Sequence, residues 1–329
     1  MVEFLVKRLL LCVFILFFVM LMIYALMYSL PANYVEMTAR DLATKPGSMK
    51  SAQDWITELN AQYGFDKGMI GGFLTWLRSA AKGEFGDSWN WTVPVTQKFK
   101  EVIWYSFILA VIAFVLEIGI AIPLGVVAAR KQYSATDYTV TVISLVGISL
   151  PTFFIATLLK LVFAVHLGWF NISGMQGRDY LTLTDFGKFI DMAKHFVLPA
   201  MTLTIVNIGS LMRFTRTNML EVLNSDYIRT ARAKGLSESR VINRHAFRNT
   251  LIPLITILGG SLASLFSGAL ITETLFAIRG IGYTSYYSMT NGDIPFTMFY
   301  LTFIAILTLL GNLISDILYA VVDPRVRVN

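Results

Sequence analysis

Glu221 to Pro253 reads EVLNSDYIRTARAKGLSESRVINRHAFRNTLIP, and its reading decides the fold. It is the longest polar interval after residue 200, and apolar runs long enough to cross a bilayer lie on either side. A polar stretch between two such runs is a loop on one membrane face. Arg213, Arg216, Arg229, Arg232, Lys234, Arg240, Arg244 and Arg248 outweigh Glu221, Asp226 and Glu238, which places the loop in the cytoplasm. It also carries helix signals. Ser225 is a candidate N-cap, Asp226 suits the positive end of a helix dipole, and Gly235 supplies a left-handed stop, so a helix of about three turns is predicted. Tyr227, Thr230, Ala231 and Lys234 follow i, i+3, i+4, i+7 spacing and share one face. Small residues with one aromatic suit the groove of another protein. The alternative is that the basic charges only enforce topology and bind anionic lipid.

Composition points the same way. Apolar residues make up 55% of the chain and charged residues 15%, and several uncharged runs approach the roughly 20 residues that span a bilayer. The net charge of +6 clusters at the ends of apolar runs and not along a groove, which argues for topology and against nucleic acid. Cys12 is the single cysteine, so an internal disulfide or a cysteine metal cluster is excluded.

Six spans are expected, with both termini cytoplasmic. The first runs from Leu9 to Leu30 behind Lys7 and Arg8; it is too long for a secretory signal and lacks a small-residue cleavage site. Residues 31 to about 100 form an extracytoplasmic segment, with short helices at Trp55–Tyr63 and Met69–Ala81 broken at Gly64, Gly68, Gly71-Gly72 and Gly83. Trp76, Trp89, Trp91 and Trp104 either mark the headgroup level or pack a small outer core. The further spans are about Val102–Ala129, Tyr138–Val165, Phe196–Met212, Thr250–Phe276 and Phe296–Val322. An outer loop at Asn171–Lys194, another reaching Pro295 and an inner tail from Asp323 to Arg327 complete the path. The expected organisation is a first span in 1–30, a helical outer segment in 31–100, and a core in 101–329 with the cytoplasmic loop at 213–249.

Ionisable residues inside spans mark an aqueous path or a buried pair. Glu117 in the second span is read either as part of a solute path or as a structural partner, and Lys160 in the third as structural; Glu273 and Asp316 lie in the fifth and sixth. Gly260, Ser264 and Gly268, at i, i+4, i+8, form a small-residue stripe that lines a path or packs helices within the subunit. Phosphate loops, zinc-protease motifs and Cys/His ligand spacings do not occur. His166, His195 and His245 are scattered over loops or span ends, as solvated or capping residues. An enzyme that hydrolyses ATP by itself is therefore not expected.

Asp226-Tyr227-Ile228-Arg229-Thr230-Ala231-Arg232-Ala233-Lys234-Gly235 with Arg248-Asn249-Thr250-Leu251-Ile252-Pro253 resembles the cytoplasmic loop of ABC importer permeases, in the branch carrying dipeptides, oligopeptides and nickel. Glu273-Thr274-Leu275-Phe276, Gly280-Ile281-Gly282, Asp293-Ile294-Pro295, the run from Asp316 through Arg327, and Lys82 to Ser88 extend the resemblance over nearly the whole chain. The segment after the first span is similar to that of the B-type subunit. Arg279 departs from the proline common at that position. The resemblance implies an all-α multi-pass membrane protein with six transmembrane helices in the type I ABC importer permease fold. It implies half of a translocation pathway, with Glu117, Gly260, Ser264 and Gly268 as path candidates, and a coupling helix in which Asp226, Tyr227, Thr230, Ala231, Lys234 and Gly235 meet an ATPase. The implied partners are a C-type permease subunit, two ATPase subunits carrying ATP and Mg, an extracytoplasmic peptide-binding protein and the lipid of a bacterial inner membrane. The chain itself would bind no cofactor, metal or nucleic acid. Nickel in place of peptide is an alternative solute, and a stand-alone secondary transporter an alternative class, though no internal repeat supports the latter.

Overall fold

The structure is a computed structural model and describes residues 2–29, 33–45 and 49–322. Among these residues no strand forms; Asp87 and Pro94 make an isolated bridge. In order the helices are α1 (Val2–Tyr28), α2 (Asn33–Thr44), α3 (Ala52–Tyr63), α4 (Gly68–Ala81), α5 (Val95–Arg130), α6 (Ala135–Ser149) and α7 (Thr152–Leu159, continued as a wider turn, Lys160–His166).

 Then follow α8 (Asp185–Leu223), α9 (Asp226–Ala233), α10 (Glu238–Arg240), α11 (Phe247–Ser261), α12 (Leu270–Leu275), α13 (Ile281–Thr290) and α14 (Ile294–Val322). The regular α7 helix ends at Leu159. Among the described residues, five stretches are long and apolar enough to cross a membrane: Val6–Tyr28, Val95–Arg130, Asp185–Leu223, Glu238–Phe266 and Ile294–Leu318. A sixth is made by α6 and α7 together, bent by 105°.

Several span boundaries differ from the sequence expectation, each for a local reason. The third span is broken and not straight, because Leu150 and Pro151 are extended (ψ 131° and 142°), the conformation that a proline ring favours at the residue before it. Pro123, Pro199 and Pro253 are accommodated inside helices. The fourth span is not confined to Phe196–Met212: α8 begins at a Thr184 cap, whose hydroxyl accepts from the Gly187 N–H, and runs on for 39 residues. Much of the expected outer loop at 171–194 and the start of the basic loop are therefore helical. The fifth span ends at Phe266 and not at Phe276, because Gly268 is left-handed (φ +80°) and turns the chain into α12. Glu273 accordingly lies outside that span. In residues 31–100, Gly64, Gly68 and Gly83 are left-handed breaks as predicted, but Gly71 and Gly72 sit inside α4. The α2 helix was not anticipated, and the expected features at Leu30–Ala32 and Asp323–Arg327 lie outside the described residues.

The chain divides into two compact units, residues 1–104 with 284–310, and residues 105–283 with 311–329. In the first, Tyr24 is fully buried among Ile23, Phe73, Trp76, Ile294 and Met298, and its hydroxyl donates to the Tyr63 carbonyl at 2.9 Å. Trp76 is a core residue, whereas Trp104 is 56% exposed. The fully buried Asp293 caps α14 by accepting from the Phe296 N–H (3.2 Å). It also pins the 88–90 turn, accepting from the Ser88 hydroxyl (2.5 Å) and from the N–H groups of Trp89 (3.2 Å) and Asn90 (3.3 Å). Two motifs 205 residues apart thus meet at one carboxyl group. Asp293→Ala orphans these donors, and amide hydrogen exchange at Trp89 and Asn90 is expected to accelerate by about tenfold or more; unchanged exchange would show that the turn is held by other contacts.

In the second unit α8 is the spine, packed against α6, α7, α11 and α12. Its apolar face meets one cluster with Leu109, Ile155, Ala156, Leu198 and Phe276, and another with Ala121, Val140, Leu211, Met212 and Leu254. The buried hydroxyls of Thr202, Thr204 and Thr215 donate to carbonyls one turn earlier, so these polar side chains are accommodated within the helix. His195 is likewise internal to α8 and buried, contrary to its expected place at a span end: its Nδ1 lies 2.7 Å from the Asp191 carbonyl and its Nε2 2.8 Å from the Asn171 amide nitrogen.

Candidate functional site

The polar stretch from Ser225 folds into α9, eight residues long, or a little over two turns at roughly 3.6 residues per turn. Ser225 has the extended backbone of an N-cap, and its carbonyl accepts from the N–H groups of Ile228 (3.1 Å) and Arg229 (3.3 Å). Its side chain does not cap, however: the hydroxyl donates backwards to the Val222 carbonyl at 2.6 Å, at the end of α8. The other end matches the expectation. Gly235 is left-handed (φ +73°), its N–H donates to the Arg232 carbonyl (2.9 Å), and the Leu236 N–H reaches back to Ala231 (3.4 Å). That pair of bonds, with Leu236 packed in the same cluster as Ala231, is a complete Schellman stop.

The helix has two distinct sides. Ile228 is fully buried and Ala231 nearly so, in a cluster with Ala129, Met219, Val241, Ile242 and Ala246. This apolar seat joins α9 to the end of α8, to α5 and to the turn that leads into α11. Asp226, Tyr227, Thr230, Lys234 and Gly235 are exposed, Tyr227 at 48%. Ala231 therefore does not share the open face with Tyr227, Thr230 and Lys234. It falls between Tyr227 and Ile228 around the helix, and its single methyl is covered by the seat. Two contacts, three hydrogen bonds in all, stiffen the surroundings. Arg232 meets Glu238 through both arms of its guanidinium (Nε–Oε2 3.1 Å, Nη2–Oε1 2.8 Å), which raises the Arg232 pKa above its ordinary value, and the Asn249 amide donates to the Tyr227 hydroxyl (3.2 Å).

Beside this seat is an ion pair that the sequence did not suggest. Arg216, read only as one of the topology-setting charges, makes a bidentate contact with Asp137 (Nε–Oδ1 2.6 Å, Nη2–Oδ2 2.8 Å). Asp137 is buried, and also accepts from the Tyr133 N–H at 3.0 Å. The start of α6 is thereby fixed to α8 through planar, two-point geometry that lysine could not reproduce.

The path candidates separate. Glu117, Ser264 and Gly268 line one cavity of about 570 Å³, together with Phe114, Asn207, Ser210, Ser261 and Ser267. Gly260 is not among its lining residues; it packs on the last helix, where a Cβ at Gly260 would lie 3.6 Å from that of Ser315 and one at Gly311 would lie 2.9 Å from the Gly260 carbonyl oxygen. The stripe is thus not a single helical face, because the helix tightens at Ala263–Phe266 and breaks at Gly268. Lys160 is structural in its contacts: its Nζ donates to the Leu275 carbonyl at 2.7 Å and lies over the Phe276 ring.

Next to the cavity, Glu273 organises the turn from Gly268 to Tyr283. It is fully buried and accepts from the Ser106 hydroxyl (2.6 Å) and from the N–H groups of Ala269 (2.9 Å) and Tyr283 (2.8 Å). The Ser106 oxygen in turn accepts from the Ile281 N–H at 2.7 Å. A Cβ on Gly280 would stand 2.3 Å from that hydroxyl and 2.7 Å from the carboxyl, so only glycine fits there. Residues 121–328 match the family described as the binding-protein-dependent transport system inner membrane component. The chain belongs to this family. The match takes in α9 and its seat, the Arg216–Asp137 pair and the Glu273 turn, while Glu117 lies just before it.

Curated relatives of this permease extend the likeness to the residues before 121. It is 38% identical to the oligopeptide transport system permease protein AppB of Bacillus subtilis (strain 168) over 267 residues, covering 81% of this chain and 83% of the relative. It is 33% identical over 346 residues to the dipeptide transport system permease protein DppB of Escherichia coli (strain K12), covering 99% of each. The di/tripeptide transport system permease protein DppB of Pseudomonas aeruginosa (strain UCBPP-PA14) is 33% identical over 349 residues, again covering 99% of each. The protein is a multi-pass membrane permease subunit of the ABC transporter type.

Proposed function

We propose that this permease carries dipeptides or oligopeptides inward, forming half of the pathway with a second, C-type permease and receiving work from ATPase subunits through α9. Both termini then lie in the cytoplasm, and a peptide-binding protein delivers the solute to the opposite side. The observation that carries the coupling reading is the two-sidedness of α9. Tyr227, Thr230 and Lys234 are exposed, while Ile228 and Ala231 are bedded against α8, α5 and the turn into α11. A load applied to the open face passes directly into the packed elements, because a close-packed contact transmits displacement instead of absorbing it. The peptide reading is supported by the relatives, which are named for oligopeptide, dipeptide and di/tripeptide transport and align over 81% to 99% of the chain.

The test is reconstitution in vesicles with the partner permease, the ATPase subunits and the binding protein. ATP-dependent uptake of a labelled di- or oligopeptide is expected, and deletion of residues 226–234 should abolish it while the chain still inserts. Uptake that persists without ATP, or survives the deletion, contradicts the proposal.

A further inference from the structure

We infer that the cavity at Glu117 is an ammonium-binding station, in which this carboxylate meets the protonated amino terminus of a passing peptide; the inference rests on the pathway reading above. Ala110, Ala113, Phe114 and Glu117 line the cavity from α5 at three- and four-residue spacing, so one face of the helix is turned to it. Glu117 lies well inside the Val95–Arg130 helix, and among the described residues its carboxyl has neither a hydrogen bond nor an ion pair. An acid at that depth is costly unless a cation or water meets it. No lysine, arginine or histidine lines the cavity.

Beside the amide of Asn207 and the hydroxyl of Ser210, the remaining polar lining is a run of serines whose hydroxyl hydrogens are committed. Ser261 donates its hydroxyl hydrogen to the Ile257 carbonyl (3.0 Å), Ser264 to Ser261 (2.7 Å) and Ser267 to Ser264 (2.7 Å). With their protons committed, the Ser261 and Ser264 hydroxyl oxygens offer lone pairs. A carboxylate among hydroxyl lone pairs favours a donor with positive charge, and an ammonium group with three N–H bonds is such a donor. A free peptide carries an ammonium at its amino terminus near neutral pH, its usual pKa being about 8, whatever its side chains. The station therefore provides a handle independent of peptide sequence, and repulsion of the terminal carboxylate gives the solute a direction. The volume falls within the roughly 300–1,000 Å³ common for small-ligand sites.

The experiment uses the assembled transporter in vesicles, with Cys12→Ser to remove the native thiol and Ser210→Cys as a reporter in the cavity. Reaction with a cationic trimethylammonium methanethiosulfonate is compared with that of an anionic sulfonate reagent of similar size, and peptide uptake is followed before and after modification. The cationic reagent is expected to react faster, modification to block uptake, and Glu117→Gln to lower the cation-to-anion rate ratio by about tenfold. Glu117→Asp should retain most of the preference. If modification blocks uptake but the ratio is the same with and without Glu117→Gln, the ammonium station is overturned and the pathway reading survives. If Ser210→Cys is modified without effect on uptake, or reacts with neither reagent, the pathway reading fails and the station with it. Loss of the partner permease from Glu117→Gln during purification would assign the carboxylate to subunit pairing and overturn the station.

Discussion

Glu273→Ala is expected to destabilise the permease by about 4 kcal/mol or more, since it leaves three buried donors without an acceptor at roughly 1–3 kcal/mol each. Those donors are the Ser106 hydroxyl and the N–H groups of Ala269 and Tyr283. Glu273→Gln should fall between the two. Its amide oxygen can take the place of Oε1 and keep the Ser106 and Ala269 bonds, but its NH₂ then faces the Tyr283 N–H, donor against donor. The measurement is unfolding of the purified protein in mixed micelles, with the order wild type, Gln, Ala. Equal stability of all three would show that the turn from Gly268 to Tyr283 does not depend on this carboxyl group.

The second large effect separates the two sides of α9. Ile228→Ala removes buried methyl and methylene groups from the seat, which costs about 2–4 kcal/mol locally where the surroundings cannot collapse. The open face is untouched, so the ATPase subunits should still copurify and hydrolyse ATP, while ATP-driven uptake falls by about tenfold or more. Lys234→Glu changes only the exposed side and should weaken copurification itself, with the isolated permease as stable as before. A loss of copurification in Ile228→Ala with normal assembly of Lys234→Glu would reverse the assigned roles of the two faces.

These expectations rest on features of unequal visibility in the sequence. The spans were legible because a bilayer demands long apolar runs, and α9 because a dense positive interval ended at Gly235. The breaks at Pro151 and Gly268 were less so: hydropathy averages over a bend, and a proline alone does not mark a break, since prolines 123, 199 and 253 sit inside continuous helices. Residues whose meaning is a long-range partner gave no local signal. Asp137 and Arg216, Ser88 and Asp293, and Ser106 and Glu273 are each brought together only by the tertiary fold. Helical periodicity grouped Ala231 with Tyr227, Thr230 and Lys234, but it could not say which flank of that face the seat would cover. Similarly, Gly260 and Ser264 share a sequence spacing yet serve different surroundings, one against the last helix and the other at the cavity.

The central claim is that the open face of α9 meets a motor subunit. Thr230→Cys in a Cys12→Ser background, assembled with the ATPase subunits bearing single cysteines along their docking groove, tests it directly by oxidative cross-linking. A cross-link to the ATPase that stops uptake and is reversed by reductant is the predicted result. Full labelling of Thr230→Cys by a bulky maleimide in the working complex, with uptake intact, would contradict it.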